Sequence, residues 1–493
     1  MNVGIVGGGF AGFATAVALA QRGHDVRCYE AVADPSPIGA GILLQPTGAA
    51  VLDELGLLER VRDRSAAVHT LRCMSGTKEV FALGYEECGL AHGLGVHRGV
   101  LFQVLFEALE PNGVTLETGC EITRVNGGAV YDARGVRRGQ HDVVVVADGA
   151  RSALRASLFP SARDDAYPFG ALWFVTEDRA ERYAGVLHQE VRGSETMIGF
   201  LPTGLGPLNA GPTNAGPTNA GPTNPVPTNR VPKKKDPTND SATRKGPRNG
   251  SLTSNGPMNG APTNAATVNA GRRNGGATSH GSTGGHPIGE IPLVSFFYSV
   301  AGKDVDALRA RGLQAFYDDV LAVAPMAGAV LERLPSLDAL IFGGYRDVVL
   351  KVPYRDRTVV IGDAAHAMSP QLGQGTNLAL LDALALARWL TNEPNLALAF
   401  AGYARERRAN QRFYQFASRW LTPFFQSHHA FLGGVRDTLF PLACTVPYLR
   451  RRMVRVLGGG ERGILRPAMK KPAGDSWASA DRQSATPETR NEG

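Results

Sequence analysis

Asn2-Val3-Gly4-Ile5-Val6-Gly7-Gly8-Gly9-Phe10-Ala11-Gly12, followed eighteen residues later by Glu30, is the stretch that decides the fold. Asn2–Val6 reads as a short apolar strand, Gly12–Arg22 as an Ala-rich helix and Asp25–Glu30 as a second strand. Gly7–Gly12 fits G-x-G-x-x-G at the strand-to-helix turn, and each glycine has a task. Gly7 permits the tight turn, Gly9 lets backbone approach a pyrophosphate, and Gly12 lets helix and strand pack closely. The helix start, through Phe10 and Ala11, offers free N–H groups to phosphate oxygens. Glu30 is placed to accept hydrogen bonds from ribose hydroxyls, and its charge disfavours a 2′-phosphate. The bland alternative is a glycine-rich turn without a ligand. The strand, the helix and the terminal acid together weigh against it.

Working outward, the ordered chain reads as α/β. Asp142–Ala147 and Thr358–Gly362 are apolar, β-branched runs expected as buried strands. Leu71–Leu83, Ala171–Thr176, Tyr183–Val191, Met197–Pro202 and Ile291–Val300 are strand-like and rich in aromatics, and are expected to form a separate sheet. Helices are expected over Asn377–Leu390 and Leu396–Trp420. The segment 203–289 opens on a tandem Asn-Ala-Gly-Pro-Thr repeat and has almost no core-forming residues. Its composition predicts a disordered insertion in a loop between two strands, and the polar tail 467–493 is expected to fray.

Composition narrows the function classes. The hydrophobic fraction is 43% and the charged fraction 20%, ordinary for a globular protein. Five scattered cysteines without a CxxC pair argue against a disulfide framework or a zinc site and fit a cytoplasmic protein. The apolar start lacks a basic n-region, and no apolar run is long enough to span a bilayer. The net charge of +7 sits wholly in 203–289, which has nine basic and two acidic residues; the rest has 43 of each. A basic groove for specific nucleic-acid binding is therefore not indicated.

Three further motifs carry chemistry. His97-Arg98 opens a helical run, where a guanidinium can hold a phosphate or a polyol oxygen, though an Arg starting a helix is often just a surface residue. Asp148-Gly149 follows the valine strand at its carboxyl end, where open α/β sheets take ligands; the plain reading is a turn cap. Gly362-Asp363-Ala364-Ala365-His366 follows the Thr358 strand and leads through Pro370 to Gly373-Gln374-Gly375-Thr376-Asn377 and a long helix. Asp363 can accept hydrogen bonds from ribityl hydroxyls, the glycines let backbone pass close to a flat ring, and the helix start aims positive charge at it. His366 reads equally well as a packed residue or a direct participant.

Together these motifs resemble the class A FAD-dependent monooxygenases, the family of para-hydroxybenzoate hydroxylase, salicylate hydroxylase and kynurenine monooxygenase, over Met1 to about Trp420. Gly39-Ala40-Gly41-Ile42 also looks like the family's segment after the ribose acid. The resemblance implies a Rossmann-like FAD-binding domain with an interleaved mixed-sheet substrate domain and a C-terminal helical region. The expected division is 1–70, 98–158 and 343–391 for the FAD-binding domain, 71–97 and 159–342 for the substrate domain, and 392–466 for the helices. It implies FAD, NADPH or NADH as reductant, and O2 as cosubstrate. One oxygen atom would enter an aromatic or hydrophobic small molecule by way of a C4a-hydroperoxyflavin. The expected cofactor-binding residues are Gly7, Gly9, Phe10, Ala11, Gly12, Glu30, Ala40, Gly41, Arg98, Asp148, Asp363, Pro370, Gly373, Gly375, Thr376 and Asn377. No catalytic base is named; His188 and Tyr298 are the substrate-domain candidates. Two alternatives stand beside this reading: an oxygen-independent reductase of the geranylgeranyl reductase type, and a non-enzymatic polyanion-binding protein acting through the basic insertion. A flavin halogenase is discounted because no two of the four tryptophans are two residues apart.

Overall fold

Val143–Val146 is enclosed on both faces, every valine fully buried, as a central strand of a parallel sheet must be. It runs parallel to Asn2–Val6 on one side and to Thr358–Val360 on the other. Asn2–Val6 pairs in parallel with Asp25–Tyr29, and that strand with Thr115–Glu117; Tyr354–Arg355 closes the opposite edge antiparallel. The chain leaves Asn2–Val6 toward one edge and returns to Val143–Val146 on the other side. The carboxyl ends of these two strands therefore flank the switch point where open α/β sheets take ligands. The helix Phe10–Ala20 is buried continuously from Ala11 to Leu19 and packs against the helix Gly375–Asn392.

The computed structural model describes residues 1–35, 40–207 and 291–463. All belong to one of the chain's two compact units, Met1–Thr218 with Pro287–Gly493; the other, Asn219–His286, lies outside the described residues. So do most of the insertion and the whole tail for which disorder is expected. Thr203 and Gly204, counted with the insertion from composition, belong instead to the strand Thr196–Gly204, where Thr203 is fully buried. That strand pairs antiparallel with Leu293–Ala301, from Ile198 opposite Tyr298 to Gly204 opposite Leu293. The insertion thus joins adjacent ends of a hairpin.

The two strands are part of a nine-stranded mixed sheet. Its path runs Ile341–Val349, Arg163–Glu177, Leu293–Ala301, Thr196–Gly204, Gly185–Arg192, Ala66–Ser75, Gly93–His97 and Gly41–Leu44, with Lys78–Gly84 paired to Ala66–Ser75. Side chains alternate across it with the period of two that strands impose. Leu172, Phe174, Ile198, Phe200 and Phe296 face a cap of short helices, Val305–Ala310, Gly312–Leu321 and Gly328–Leu331. Ala171, Trp173, Met197, Leu201 and Phe297 face the other way, toward Phe425 and toward Val454 and Leu457 of the helix Pro447–Leu457.

Domain boundaries differ from the sequence reading at three places, the first being Ala66–Ser75, which takes the nine-stranded sheet back before residue 71. Gly41–Leu44, expected within the 1–70 part of the FAD-binding domain, is hydrogen-bonded to Gly93–His97 as an edge of the nine-stranded sheet. Ile341–Val349 carries that sheet past residue 343. C-terminal to the helix Leu396–Leu421 come Ala430–Thr445 and Pro447–Leu457. Among the described residues no helix is long and apolar enough to cross a membrane.

Candidate functional site

The turn after Asn2–Val6 is built by its glycines. Gly7 has φ +104°, and a Cβ there would lie 2.4 Å from the Ala147 carbonyl oxygen. A Cβ on Gly12 would lie 2.0 Å from the Gly7 carbonyl oxygen, so backbone meets backbone and nothing flexible can yield. At Gly9 a Cβ would meet no heavy atom within 4 Å. That open space lies against the start of the Phe10–Ala20 helix, whose first N–H groups have no intrahelical partner. Glu30 is drawn onto this turn: Oε2 accepts from the Gly8 N–H at 2.6 Å and Oε1 from the Val32 N–H at 2.9 Å. Each oxygen keeps a second lone pair for a hydroxyl donor.

Opposite the turn lies the helix Arg98–Glu107, capped by His97, whose Nδ1 accepts from the Gly99 N–H. The Arg98 guanidinium sits 5.0 Å above the Phe10 ring. The side chain reaches solvent yet is ringed by protein, so desolvation lowers its pKa, while the neighbouring Asp363 carboxylate pushes it back up. Asp363 opens the short helix Asp363–His366 after Gly362, which has φ +59°. Its carboxylate is exposed and accepts no hydrogen bond among the described residues, and its Oδ1 lies 3.7 Å from where a Cβ on Gly375 would stand. At the switch point, Asp148 Oδ1 is buried without a partner; burial raises its pKa and a Ser152 hydrogen bond opposes that.

Pro370 starts a 3-10 turn that ends on Gly373, φ +60°, and Gly375 opens the eighteen-residue helix Gly375–Asn392. The N–H groups of Gly375 and Thr376 belong to its first turn, so they too lack intrahelical partners. The turn is wedged between Leu43, 4.0 Å from the Cβ direction of Gly373, and Leu457, whose carbonyl accepts from Gln374 Nε2 at 2.7 Å.

The structure thus brings Gly7, Gly9, Phe10, Ala11, Gly12, Glu30, Arg98, Asp148, Asp363, Pro370, Gly373, Gly375 and Thr376 to one crevice. Three further expected residues are also engaged by the fold. The side chain of Asn377 is spent on the fold: Oδ1 accepts from the Gln45 N–H at 2.8 Å, and Nδ2 donates to the carbonyls of Leu43 and Gly373. Gly41 is a glycine because the sheet closes over it; a Cβ would lie 2.4 Å from Thr203, and its N–H donates to Ser295 Oγ. Ala40 accepts from the Arg98 N–H through its carbonyl and serves to dock that helix start.

His366 turns out to be a packed residue. It is buried, with Nε2 on Asp382 Oδ2. Asp382 also accepts from Arg407 Nε at 2.7 Å, Gln411 Nε2 at 2.9 Å and the Gly362 N–H at 3.2 Å. Burial opposes ionisation of this carboxyl, but the charges of His366 and Arg407 outweigh it and hold its pKa well below the usual carboxylate range. Arg155, also buried, ties the two sides of the crevice by donating to the carbonyls of Ala150 and Ala364.

His188 and Tyr298 lie on the wrong face for a ligand in the crevice. His188 packs beside Phe200 and bonds Glu190, and Tyr298 stacks edge-on against Phe316, both toward the helical cap. The face toward Gly373 carries Trp173, Phe297 and Tyr345 instead. At its edge, three buried polar atoms have no partner: Gln45 Nε2, Thr47 Oγ1 and Gln374 Oε1. The Tyr85 hydroxyl donates to Gln45 Oε1 at 2.6 Å, which fixes the amide with its buried Nε2 unpaired. The available signal was a polar Gln45-Pro46-Thr47 directly after an apolar strand.

FAD fits this crevice on the structure's own terms. Two helix starts, an open approach at Gly9, a carboxylate with a free oxygen at each of two strand ends and a nearby arginine match a pyrophosphate, a polyol chain and a flat ring. Comparison with known proteins agrees. The model of the FAD binding domain family matches residues 1–208 and 342–409, more than half of the chain. The chain is 31% identical over 181 residues to the FAD-dependent monooxygenase OpS4 of Beauveria bassiana, covering 35% of this chain and 42% of that protein. It is 31% identical over 169 residues to the 3-hydroxybenzoate 6-hydroxylase of Klebsiella oxytoca, covering 32% and 42%. The chain therefore spans less than half the length of these curated relatives. In fold it is similar to PqsL of Pseudomonas aeruginosa, a probable FAD-dependent monooxygenase (TM-score 0.64, 19% identity, 89% of this chain and 100% of that one). It is equally similar to a variant of HpxO of Klebsiella pneumoniae complexed with FAD (TM-score 0.64, 18% identity, 94% and 100%). By the match of its two crevice-forming segments, the chain belongs to the FAD-binding domain family.

Proposed function

We propose that this protein is an FAD-dependent monooxygenase that uses NADPH or NADH and O2 to hydroxylate a small aromatic substrate. The observation that carries the reading is the pairing of a crevice fitted for FAD with an aromatic-lined apolar face of the second sheet, meeting at Gly373–Gly375. When bound, the flavin supplies hydride acceptance from the nicotinamide and oxygen activation.

The chain's residues would bind, orient and exclude water. Gly9 and the N–H groups at Phe10 and Ala11 would hold the pyrophosphate, and Glu30 the adenosine ribose. Asp363 and Arg98 would take the ribityl chain, with Asp148 closing the switch point. The N–H groups of Gly375 and Thr376 would place positive charge against the ring edge and stabilise anionic reduced flavin. Trp173 and Phe297, with ring centroids 5.3 Å apart, offer the substrate an apolar wall. Relatives named for 3-hydroxybenzoate and for 3-amino-4-hydroxybenzoate support an aromatic substrate. The free cysteines suit a cytoplasmic setting.

The test is a panel of hydroxybenzoates, aminobenzoates and quinolones assayed for faster NADPH or NADH oxidation by the FAD-loaded protein. A substrate that accelerates oxidation and consumes O2 supports the reading. Turnover that proceeds equally without oxygen refutes it and favours a reductase.

A further inference from the structure

Behind the flavin crevice, on the far side of the Asp363–His366 helix, lies a second cavity of about 300 Å³. One wall is the segment Val349–Tyr354, the other the helix Leu396–Leu421. Four cations line it, Lys351, Arg405, Arg408 and Arg412, and no acidic side chain does. The three arginines stand at i, i+3 and i+7 and so share one helix face. None of the four makes an ion pair or a side-chain hydrogen bond among the described residues. The contrast with their neighbours is sharp: Arg407, on the opposite face, is paired with Asp382, and Arg388 with Glu406. At the inner end the buried His366 also lines the cavity, and its Nδ1 has no partner.

Four like charges around one small cavity repel one another, and outside the insertion the chain has no excess of basic residues to make such a cluster a matter of composition. An anion between them would remove that cost. Guanidinium forks match phosphate oxygens, and several converging on one group give short, charge-assisted hydrogen bonds. Val352, Pro353 and Tyr354 add an apolar wall for the body of a small molecule. We propose that this cavity is a phosphate-binding site, distinct from the FAD crevice, for a small phosphorylated ligand held by Arg405, Arg408 and Arg412.

The experiment is calorimetric titration of the FAD-loaded protein with inorganic phosphate, and separately with adenosine 2′-monophosphate, at fixed low ionic strength. The parent should bind phosphate saturably at one site per chain. Arg408→Gln and Arg412→Gln should each weaken binding by about tenfold, the effect of losing one charged hydrogen bond. Arg451→Gln, an exposed arginine on the Pro447–Leu457 helix, should leave it unchanged. The substituted side chains are on the surface, so circular dichroism should show all three variants folded. Tighter, Arg408-dependent binding of the nucleotide would support the site and identify the phosphate as nucleotide-borne. Equal binding of the two would support it as a site for free phosphate or other small esters. The proposal is overturned if phosphate does not saturate, or if Arg451→Gln weakens binding as much as Arg408→Gln.

Discussion

Replacing Asp382 by Asn probes the buried network that holds the Gly362 turn. Asp382 is fully buried, and its two oxygens serve four donors: His366, Arg407, Gln411 and the Gly362 N–H. The amide can still accept at one oxygen, but its NH2 group faces donors, and Arg407, only 1% exposed, keeps its charge without a counter-ion. Leaving one member of a buried pair uncompensated costs about 3–5 kcal/mol. That is a large share of a total stability of roughly 5–15 kcal/mol. With an unfolding entropy of about 2 cal/mol/K per residue, a chain of this size should lose roughly 3–5 °C in melting temperature. Asp382→Leu combined with Arg407→Met removes both charges and should melt above Asp382→Asn. The assay is thermal unfolding followed by circular dichroism. The sign of the pH dependence follows from the lowered carboxyl pKa. Its contribution is complete above the ordinary carboxylate range and is lost as pH falls through the depressed value. The gap between parent and Asp382→Asn should therefore hold at neutral pH and close only in strong acid. If Asp382→Asn melts within a degree of the parent at neutral pH, the network is not what holds the turn.

The glycines of the first turn should separate folding from binding. Gly12→Ala must displace backbone and should lose about 1–3 kcal/mol together with flavin, read by thermal melting and by the flavin-to-protein absorbance ratio. Gly9→Ala meets nothing in the protein, so its melting temperature without flavin should match the parent while its FAD affinity falls; parental affinity would move the pyrophosphate elsewhere. Asp363→Ala should purify with less flavin and bind it at least several-fold more weakly, since it removes acceptors worth about 1 kcal/mol each. Undiminished occupancy would displace the ribityl chain from Asp363. Joining Pro207 to Ile291 by a short Gly/Ser turn should preserve flavin content and NADPH oxidation, because the flanking strands already pair to Gly204 and Leu293. An intact flavin spectrum with abolished substrate-stimulated turnover would make the insertion part of the active enzyme.

The crevice was legible wherever a local rule forced the residue. Gly7, Gly9 and Gly12 are dictated by a turn, an approach and a contact that the motif itself encodes. The valine run and Asp148 after it mark a central strand and its ligand end from composition and position. What local rules do not reveal is decided by partners distant in sequence. Gly41 is a glycine because Thr203 and Ser295 close over it, and Asn377 is spent on Leu43 and Gln45. His188 and Tyr298 sit in the right sheet on the wrong face, because strand parity reveals two faces but not which one the helical cap covers. The role of His366 depended on Asp382, sixteen residues on, and on Arg407 in another helix.

The most direct test of the central claim is the fate of molecular oxygen. The FAD-loaded protein would be given a substrate identified by accelerated NADPH or NADH oxidation, under heavy-oxygen-labelled O2, and the product examined by mass spectrometry. A monooxygenase leaves one labelled oxygen atom in each product molecule and forms no product without O2. An unlabelled product, or equal product formed anaerobically, would contradict the central claim.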